Sequence, residues 1–262
     1  ALGRVADATR VSGALRVARA NPGVAAVVLY VDSPGGSALA SDLIAREVER
    51  LREKKPVVAY FSNTAASGGY YVAALANEIV AQPVSVTGSI GVVALRFVLE
   101  RTLEKLGLHH EVVRRGAHAD MLSPYRHWSD AERAVLDRQL DGTYNDFVGI
   151  VARGRGREPE EIEPLAGGRV YSGRDALAVG LVDRLGGLDE AIARAAALGN
   201  VPPDRDVVVI SPPRHLPAPA EPPPAVEPIA RRLGVSVDLV NLALSSSRQS
   251  LFTVDEGLAS LE

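Results

Sequence analysis

The sequence has 262 residues, of which 47% are hydrophobic and 23% are charged, and its formal net charge at pH 7 is −3. A chain of this size forms one large or two small domains with a substantial apolar core. The small net charge gives no reason to expect binding to nucleic acid or to anionic membranes. The lack of cysteine excludes disulfides, thiolate catalysis and cysteine zinc sites, and we expect neither a metal nor a cofactor.

Helical and β-rich patterns alternate along the chain, which predicts an α/β architecture. A helix is predicted over 5–20 and a buried parallel strand over 24–31. The turn Asp32-Ser-Pro-Gly-Gly-Ser37 follows at the carboxyl end of that strand. Its adjacent glycines can present backbone N–H groups to an oxyanion, although an ordinary turn between a strand and a helix has a similar composition.

Ser37 is expected to cap a second helix. The apolar residues of that helix are predicted to share one face, namely Leu39, Leu43, Ile44, Val48 and Leu51. This spacing is typical of a helix that packs against a sheet.

A second buried strand, 56–61, leads into the segment Thr64-Ala-Ala-Ser-Gly-Gly-Tyr-Tyr71. A serine between small residues on a strand-to-helix turn is the arrangement of a nucleophile elbow. The small neighbours permit a sharp turn, and the following helix directs its free N–H groups at the hydroxyl. A second interpretation stays open, in which Ser67 only caps that helix.

Shorter elements follow the elbow. The pattern predicts a strand at 78–81, a small-residue turn at 87–92 and a helix at 97–106. A further strand is predicted at 111–113 and an irregular loop at 116–126. Ser89, in the small-residue turn, either bonds its own backbone or faces the same pocket as Ser67.

The rest of the chain begins with a capping box, Ser129 with Glu132, before a long helix. The stretch 153–157 is predicted to be a solvated turn. We expect a strand at 169–171, a helix capped by a serine at 172–179 and a last helix at 188–198. We therefore expect a domain over 1–200, lacking part of its N-terminus, and an extension over 201–262. That extension is predicted to hold an edge strand at 207–210, a proline-rich linker at 212–228 and a helix at 229–244.

Together these segments resemble the signal peptide peptidase A (protease IV) family, whose members are serine peptidases of the ClpP/crotonase fold group. The resemblance runs from about residue 14 to residue 198 and does not cover the tail. It is carried by Asp32-Ser-Pro-Gly-Gly-Ser37, Ala65-Ala-Ser-Gly-Gly-Tyr70, Thr87-Gly-Ser-Ile-Gly-Val92, Gly168-Arg-Val-Tyr-Ser-Gly-Arg-Asp175 and Gly180-Leu-Val-Asp183, in this order. It implies a spiral of ββα units with a mostly parallel sheet flanked by helices.

The family's chemistry is a Ser–Lys dyad. The resemblance implies that Ser67 is the nucleophile, which attacks a peptide carbonyl and forms an acyl-enzyme. It also implies that the backbone N–H groups of Gly36 and Gly68 form the oxyanion hole, and that Ser89 orients the lysine amine. The lysine has to be neutral to accept the serine proton, so burial has to lower its pKa from about 10.4.

The sequence departs from the family pattern at this general base. In single-unit members the lysine follows a Gly-Ala-His run and precedes Asp120, and that position is Ala119 here. A methyl group cannot accept a proton. The three lysines of the chain all lie outside the motif, at Lys54, Lys55 and Lys105.

Four explanations compete for the missing base. In tandem members one half supplies the lysine and the other the serine. We favour this explanation, because the chain resembles the serine-bearing C-terminal half and begins without the strand expected before its first helix. The alternatives are an engineered inactivation at Ala119, a natural non-catalytic homologue that binds peptides, and His118 as a substitute base.

The expected function is a serine endopeptidase that degrades cleaved signal peptides or other apolar peptides, with a lysine from an upstream tandem half or a neighbouring subunit. The resemblance implies a homo-oligomer at the extracytoplasmic face of a bacterial cytoplasmic membrane, attached through a segment outside this chain. No apolar run in the sequence approaches the roughly 20 residues that span a bilayer. Two other function classes are a crotonase-type acyl-CoA enzyme and a peptide-binding scaffold. Ser67 would have no obvious role in an acyl-CoA enzyme.

Overall fold

Strand pairing centres on one long buried strand. The computed structural model of the protein describes residues 6–108, 111–202, 206–210 and 231. Its strands are β1 Val27–Ser33, β2 Val57–Ala66, β3 Glu78–Ala81, β4 Val86–Gly88, β5 Val170–Ser172 and β6 Arg184–Leu185. Its helices are α1 Ala8–Ala20, α2 Ala38–Arg52, α3 Gly68–Ala73, α4 Glu100–Lys105, α5 Asp130–Arg155, α6 Pro159–Ile162, α7 Gly173–Ala178 and α8 Leu188–Leu198, with a 3-10 turn at Glu163–Leu165.

The sheet is mostly parallel. β2 pairs with β1, β3 and β4, and β3 pairs with β6, in each case in the parallel direction. Among the described residues, only the pairing of β4 with β5 is antiparallel. The carboxyl ends of β1, β2 and β4 therefore meet at one edge, which is where ligands of open α/β sheets usually bind.

Both faces of β2 are covered. Val57, Ala59 and Phe61 belong to the main core, where residues of α2, α3 and α5 pack on them. The alternate residues Val58 and Tyr60 face a smaller core with residues of β3 and α8. This double burial explains why β2 reads as a continuous apolar run, since a strand buried on both sides needs no polar face. The expected α/β architecture, a mostly parallel sheet flanked by helices, is confirmed.

The chain divides into two compact units. Among the described residues, one unit comprises 6–92, 142–202 and 206–210, and the other comprises 93–108, 111–141 and 231. All six strands belong to the first unit. In the second unit, the Arg96 guanidinium lies over the Trp128 ring, 4.1 Å from its centroid. Nothing in the sequence pattern predicts this division, and the expected boundary near residue 200 stays a prediction.

Several predicted elements are confirmed and others are wrong. The strand at 78–81 and the helix at 188–198 have the expected bounds. Residues 111–113 and 206–210 are not in strands, although strands were expected at 111–113 and 207–210. The predicted linker at 212–228 lies outside the described residues, as does the predicted helix at 229–244 apart from Arg231. Within the part of the chain that the structure describes, no helix combines the length and apolar character that crossing a bilayer requires.

Candidate active site

Ser67 lies between the end of β2 and the start of α3. Its backbone angles are φ 52° and ψ −120°, outside the regions that a residue with a Cβ ordinarily adopts. Its amide donates to the carbonyl of Gly88 at 2.9 Å, and its carbonyl accepts from the amide of Tyr71 at 2.9 Å. Its side chain makes no capping bond to α3, so the interpretation of Ser67 as a simple helix cap is wrong. A strained turn held from both sides is what a nucleophile elbow requires.

The two glycines after β1 lie directly against this turn. Gly35 has φ 107°, and a Cβ built on it would fall 2.6 Å from the Cβ of Ser67 and 2.7 Å from the nitrogen of Gly68. A Cβ built on Gly68 would fall 3.1 Å from the nitrogen of Gly36. The nitrogens of Gly36 and Gly68 therefore both lie close to this turn, and only glycine permits so close an approach.

Ser89 directly follows the neighbouring strand β4, at the position equivalent to that of Ser67 after β2. β2 and β4 are parallel with Ala66 opposite Gly88, so Ser67 and Ser89 are the next residues along each strand. Ser89 also has a positive φ, 49°, and its amide donates to the carbonyl of Arg169 at 2.7 Å. Adjacent strands lie about 5 Å apart, so the two serine side chains start from neighbouring backbone positions.

Polar side chains that the sequence reasoning missed support these turns. The Ser33 hydroxyl accepts from the amide of Gly35 at 3.1 Å, and the Thr87 hydroxyl donates to the carbonyl of Ala65 at 2.7 Å. The buried Ser41 donates to the carbonyl of Ser37 at 3.0 Å, and its Oγ is 2.4 Å from the Cβ position built on Gly68. The available signal was a serine on the buried side of α2, where an apolar residue is usual.

A small pocket lies beside the glycine turns. Its lining is mainly aliphatic and glycine, with two serines: Ala6, Val31, Ser33, Gly35, Ser41, Ile44, Gly68, Gly69 and Val72. Val31, Ile44 and Val72 are buried, so this pocket belongs to the packing around the glycine turns.

The lysines of the first unit have other contacts or positions. Lys55 Nζ donates to the carbonyls of Ala18 at 2.7 Å and Asn21 at 2.5 Å, at the C-terminal end of α1. A cation there satisfies helix carbonyls and is stabilised by the helix dipole. Lys54 is exposed in the turn that follows α2. Neither residue lies at the carboxyl edge of the sheet.

The residues around Ala119, the expected base position, belong to the second unit. His118 and Ala119 are exposed in a turn, and Lys105 ends α4. Asp120, the residue after Ala119, accepts from Arg114 at 2.7 Å and from Arg126 at 2.8 Å. These guanidinium groups hold the pKa of the Asp120 carboxyl well below its usual range, Arg126 contributing most.

Arg126 also binds Glu132, with the closest N–O distance at 2.5 Å. The Arg126 guanidinium, together with the amide and hydroxyl of Ser129, lowers the pKa of Glu132 to about 2. The expected capping box is confirmed. The Glu132 amide donates to the Ser129 hydroxyl at 3.3 Å, and the Ser129 amide donates to the Glu132 carboxylate at 2.9 Å. The loop that begins at the base position is therefore tied to the start of α5.

The described residues offer no metal site. No group of three histidine, aspartate or glutamate side chains among them is placed to hold an ion. The chemistry available at the carboxyl edge of the sheet is that of a hydroxyl beside backbone amides.

A serine on a strained turn, with glycines packed against it at the ends of parallel strands, is an arrangement typical of α/β serine hydrolases. Residues 49–202 match the family model described as Peptidase family S49. This match covers more than half of the chain, and the chain belongs to that family.

Three curated relatives illustrate the similarity. The serine protease SPPA of Arabidopsis chloroplasts is 41% identical over 197 residues, 75% of this chain and 29% of that protein. Protease 4 of Salmonella typhi is 41% identical over 188 residues, 71% of this chain and 30% of that protein. The putative signal peptide peptidase SppA of Enterococcus faecium is 39% identical over 170 residues, 64% of this chain and 49% of that protein. The chain thus spans between about a third and a half of these relatives' lengths.

Among solved structures, a ClpP1 mutant from Listeria monocytogenes is similar, with 14% identity and a TM-score of 0.47 over 71% of this chain and 86% of that one.

Proposed function

We propose that this chain carries the nucleophile and the oxyanion hole of a Ser–Lys peptidase that cleaves apolar peptides. The observation that carries the proposal is the geometry of Ser67. Its backbone is held at φ 52° against Gly35 and Gly68, while its side chain makes no capping bond to α3. A strained backbone is retained when the surrounding structure and the function require it.

The proposed reaction begins with attack of the Ser67 hydroxyl on a peptide carbonyl. A neutral lysine amine takes the hydroxyl proton, and the carbonyl oxygen, now an anion, accepts hydrogen bonds from the amides of Gly36 and Gly68. Collapse of this intermediate expels the amine, which takes the proton back from the ammonium group. Water then hydrolyses the acyl-enzyme with the same lysine as base, and the carboxylic acid leaves.

The base in this mechanism comes from outside the chain. Lys55 is bonded to the carbonyls at the end of α1, and position 119 carries a methyl group. We propose that Ser89 receives and orients the incoming amine, since its backbone is the immediate neighbour of Ser67 across β2 and β4. An upstream tandem half and a neighbouring subunit are the two sources that we consider.

The proposed substrates are extended apolar peptides such as cleaved signal peptides. Relatives named protease 4 and signal peptide peptidase support this class. The homo-oligomer and the location at the outer face of a bacterial cytoplasmic membrane stay predictions.

A fluorophosphonate probe tests the proposal, because it phosphonylates only activated serines. The labelling is done in the presence of a lysine-bearing unit, that is, the upstream tandem half or neighbouring subunit that supplies the lysine. We expect mass spectrometry to find the label on Ser67, and S67A to abolish labelling. Ser172 is a matched control, since its hydroxyl accepts from the amide of Asp175 at 3.1 Å and caps α7. S172A should leave the labelling rate unchanged. Labelling that survives S67A, or none with the second unit present, would contradict the proposal.

A further inference from the structure

The pairing of β1 with β2 changes register shortly before the active-site turns. Val31 lies opposite Phe61, but Ser33 lies opposite Ala65, so β1 advances two residues while β2 advances four. Irregularities of this kind often occur next to active sites, where they redirect a side chain.

This offset determines what lies beside the nucleophile. Gly35 follows Ser33 by two residues, and Ser67 follows Ala65 by two, so both turns leave the sheet at the same level. Without the offset, Gly35 would be level with Ala65, and Ser67 would lie two residues, or about 7 Å, farther along. The contact between Gly35 and Ser67 therefore depends on the extra residues of β2.

Asp32 occupies the position in β1 where the register changes. Its Oδ1 accepts the backbone amide of Thr64 at 3.1 Å, and its Oδ2 accepts from Asn63 Nδ2 at 3.1 Å. Thr64 lies opposite Val86 of β4, but on the β1 side it belongs to the segment between Phe61 and Ala65 that has no partner residue in β1. The carboxylate thus takes the place of the missing strand partner.

We infer that Asp32 is a positioning residue that fixes the offset and so keeps the Gly36 amide beside Ser67. This inference rests on the proposed function. An oxyanion hole acts only when its donors lie within a few tenths of an ångström of the developing charge, so a small relaxation of the offset is sufficient to impair it. Asp32 reaches the site only through the backbone that it holds.

The test compares D32A with D32N. Asparagine keeps an oxygen that can accept the Thr64 amide, whereas alanine leaves that amide without its partner. With the lysine-bearing unit present and a peptide substrate, we expect D32A to lower kcat by about 100-fold at nearly unchanged KM, because the oxyanion forms only in the transition state. D32N should retain most of the wild-type kcat.

Asp183 provides the matched control. Its carboxylate also accepts a backbone amide from a neighbouring strand, that of Ile79 at 2.7 Å, but the contact lies near the start of β3 rather than at the carboxyl edge. D183A should lower the melting temperature and leave kcat within a few-fold of wild type. If D32A and D183A have the same kcat, or if D32N is as impaired as D32A, the inference is wrong.

A crystal structure of D32A separates this inference from the proposed function. We expect the pairing of Ser33 with Ala65 to loosen and the Gly35–Ser67 contact to open. An unchanged register and contact would overturn the positioning role whether or not the protein is a peptidase. Conversely, an inactive wild type with a shifted D32A register would contradict the proposed function alone.

Discussion

Gly35 packs so closely on Ser67 that a Cβ at position 35 would lie 2.6 Å from the serine Cβ. The φ of Gly35, 107°, is one that L side chains rarely adopt. Two independent reasons therefore require glycine at this position: backbone conformation and lack of space. Residue 35 is not itself an oxyanion donor in the proposed mechanism, so its substitution tests the geometry of the site without removing a reacting group.

G35A is expected to lower the fluorophosphonate labelling rate of Ser67 by about 100-fold, because the methyl group displaces either the serine or the Gly68 amide. It should also destabilise the protein by about 1–3 kcal/mol through backbone strain. The control is G13A in α1, where nothing lies within 4 Å of the added Cβ. G13A should leave labelling unchanged, and equal labelling of G35A and wild type would contradict the proposed site.

The family resemblance predicts that a lysine at position 119 activates Ser67 within the chain. Single-unit family members resemble this sequence in the Gly-Ala-His run that precedes the position, and Asp120 beside it is already held by Arg114 and Arg126. A general base typically contributes at least 100-fold, so A119K should raise the labelling rate of the chain alone by roughly that factor. The gain should depend on pH and disappear as the amine is protonated.

The control for this prediction is A117K, which adds the same charge two residues earlier in the same exposed segment. Equal labelling rates for A117K and A119K would show that any gain is a nonspecific effect of charge. No gain from A119K would contradict the assignment of position 119 as the base position.

Much of the candidate site was predictable because parallel strands bring their carboxyl ends together. Gly36, Ser67 and Ser89 each follow a strand segment, and β1, β2 and β4 are neighbours in the sheet. The helix caps were predictable for another reason: a cap depends on residues three positions apart. Thus the hydroxyl of Ser37 accepts the amide of Ala40, as expected.

Burial was less predictable, because it depends on distant partners. Leu39 and Leu43 are 66% and 47% exposed, whereas the next row of α2, including Ile44 and Val48, is buried. Adjacent residues point about 100° apart on a helix, so the spacing allows two rows and does not say which one meets the sheet. Asp32 was missed for a related reason, since its partners lie 31 and 32 residues away.

The predicted solvated turn at 153–157 is wrong for residues 153–155, and the chain turns only at the exposed Gly156. Helix α5 continues to Arg155, whose side chain is only 3% exposed and pairs with Asp183 at 2.7 Å. A basic, glycine-rich stretch indicates solvent exposure on average, but an ion-pair partner 28 residues away determines the outcome here. Gly154 in this stretch lies where α5 meets the backbone after α3.

The glycines of α5 give a stability prediction with an internal control. A Cβ on Gly154 would lie 1.8 Å from the carbonyl oxygen of Ala74, whereas a Cβ on Gly149 would meet nothing within 4 Å. G154A should therefore destabilise the protein by about 3 kcal/mol, as expected for severe overpacking. G149A should stabilise it by about 1 kcal/mol, because alanine favours the helix. Urea unfolding of both variants provides the measurement, and a stabilising G154A would refute the close packing.

Acid should weaken the contact between Arg126 and Glu132. The pKa of Glu132 is lowered from about 4.5 to about 2, so its ion pair stabilises the folded state above pH 5 and this stabilisation is lost as the pH falls towards 2. E132Q can keep the capping bonds but not the charge. The melting temperature of wild type should therefore exceed that of E132Q at pH 7, and the difference should shrink steadily between pH 5 and pH 2.

E104Q, at an exposed position of α4, is the control and should show a much smaller pH-dependent difference from wild type. A wild-type advantage over E132Q that stays constant down to pH 2 would contradict the ion pair.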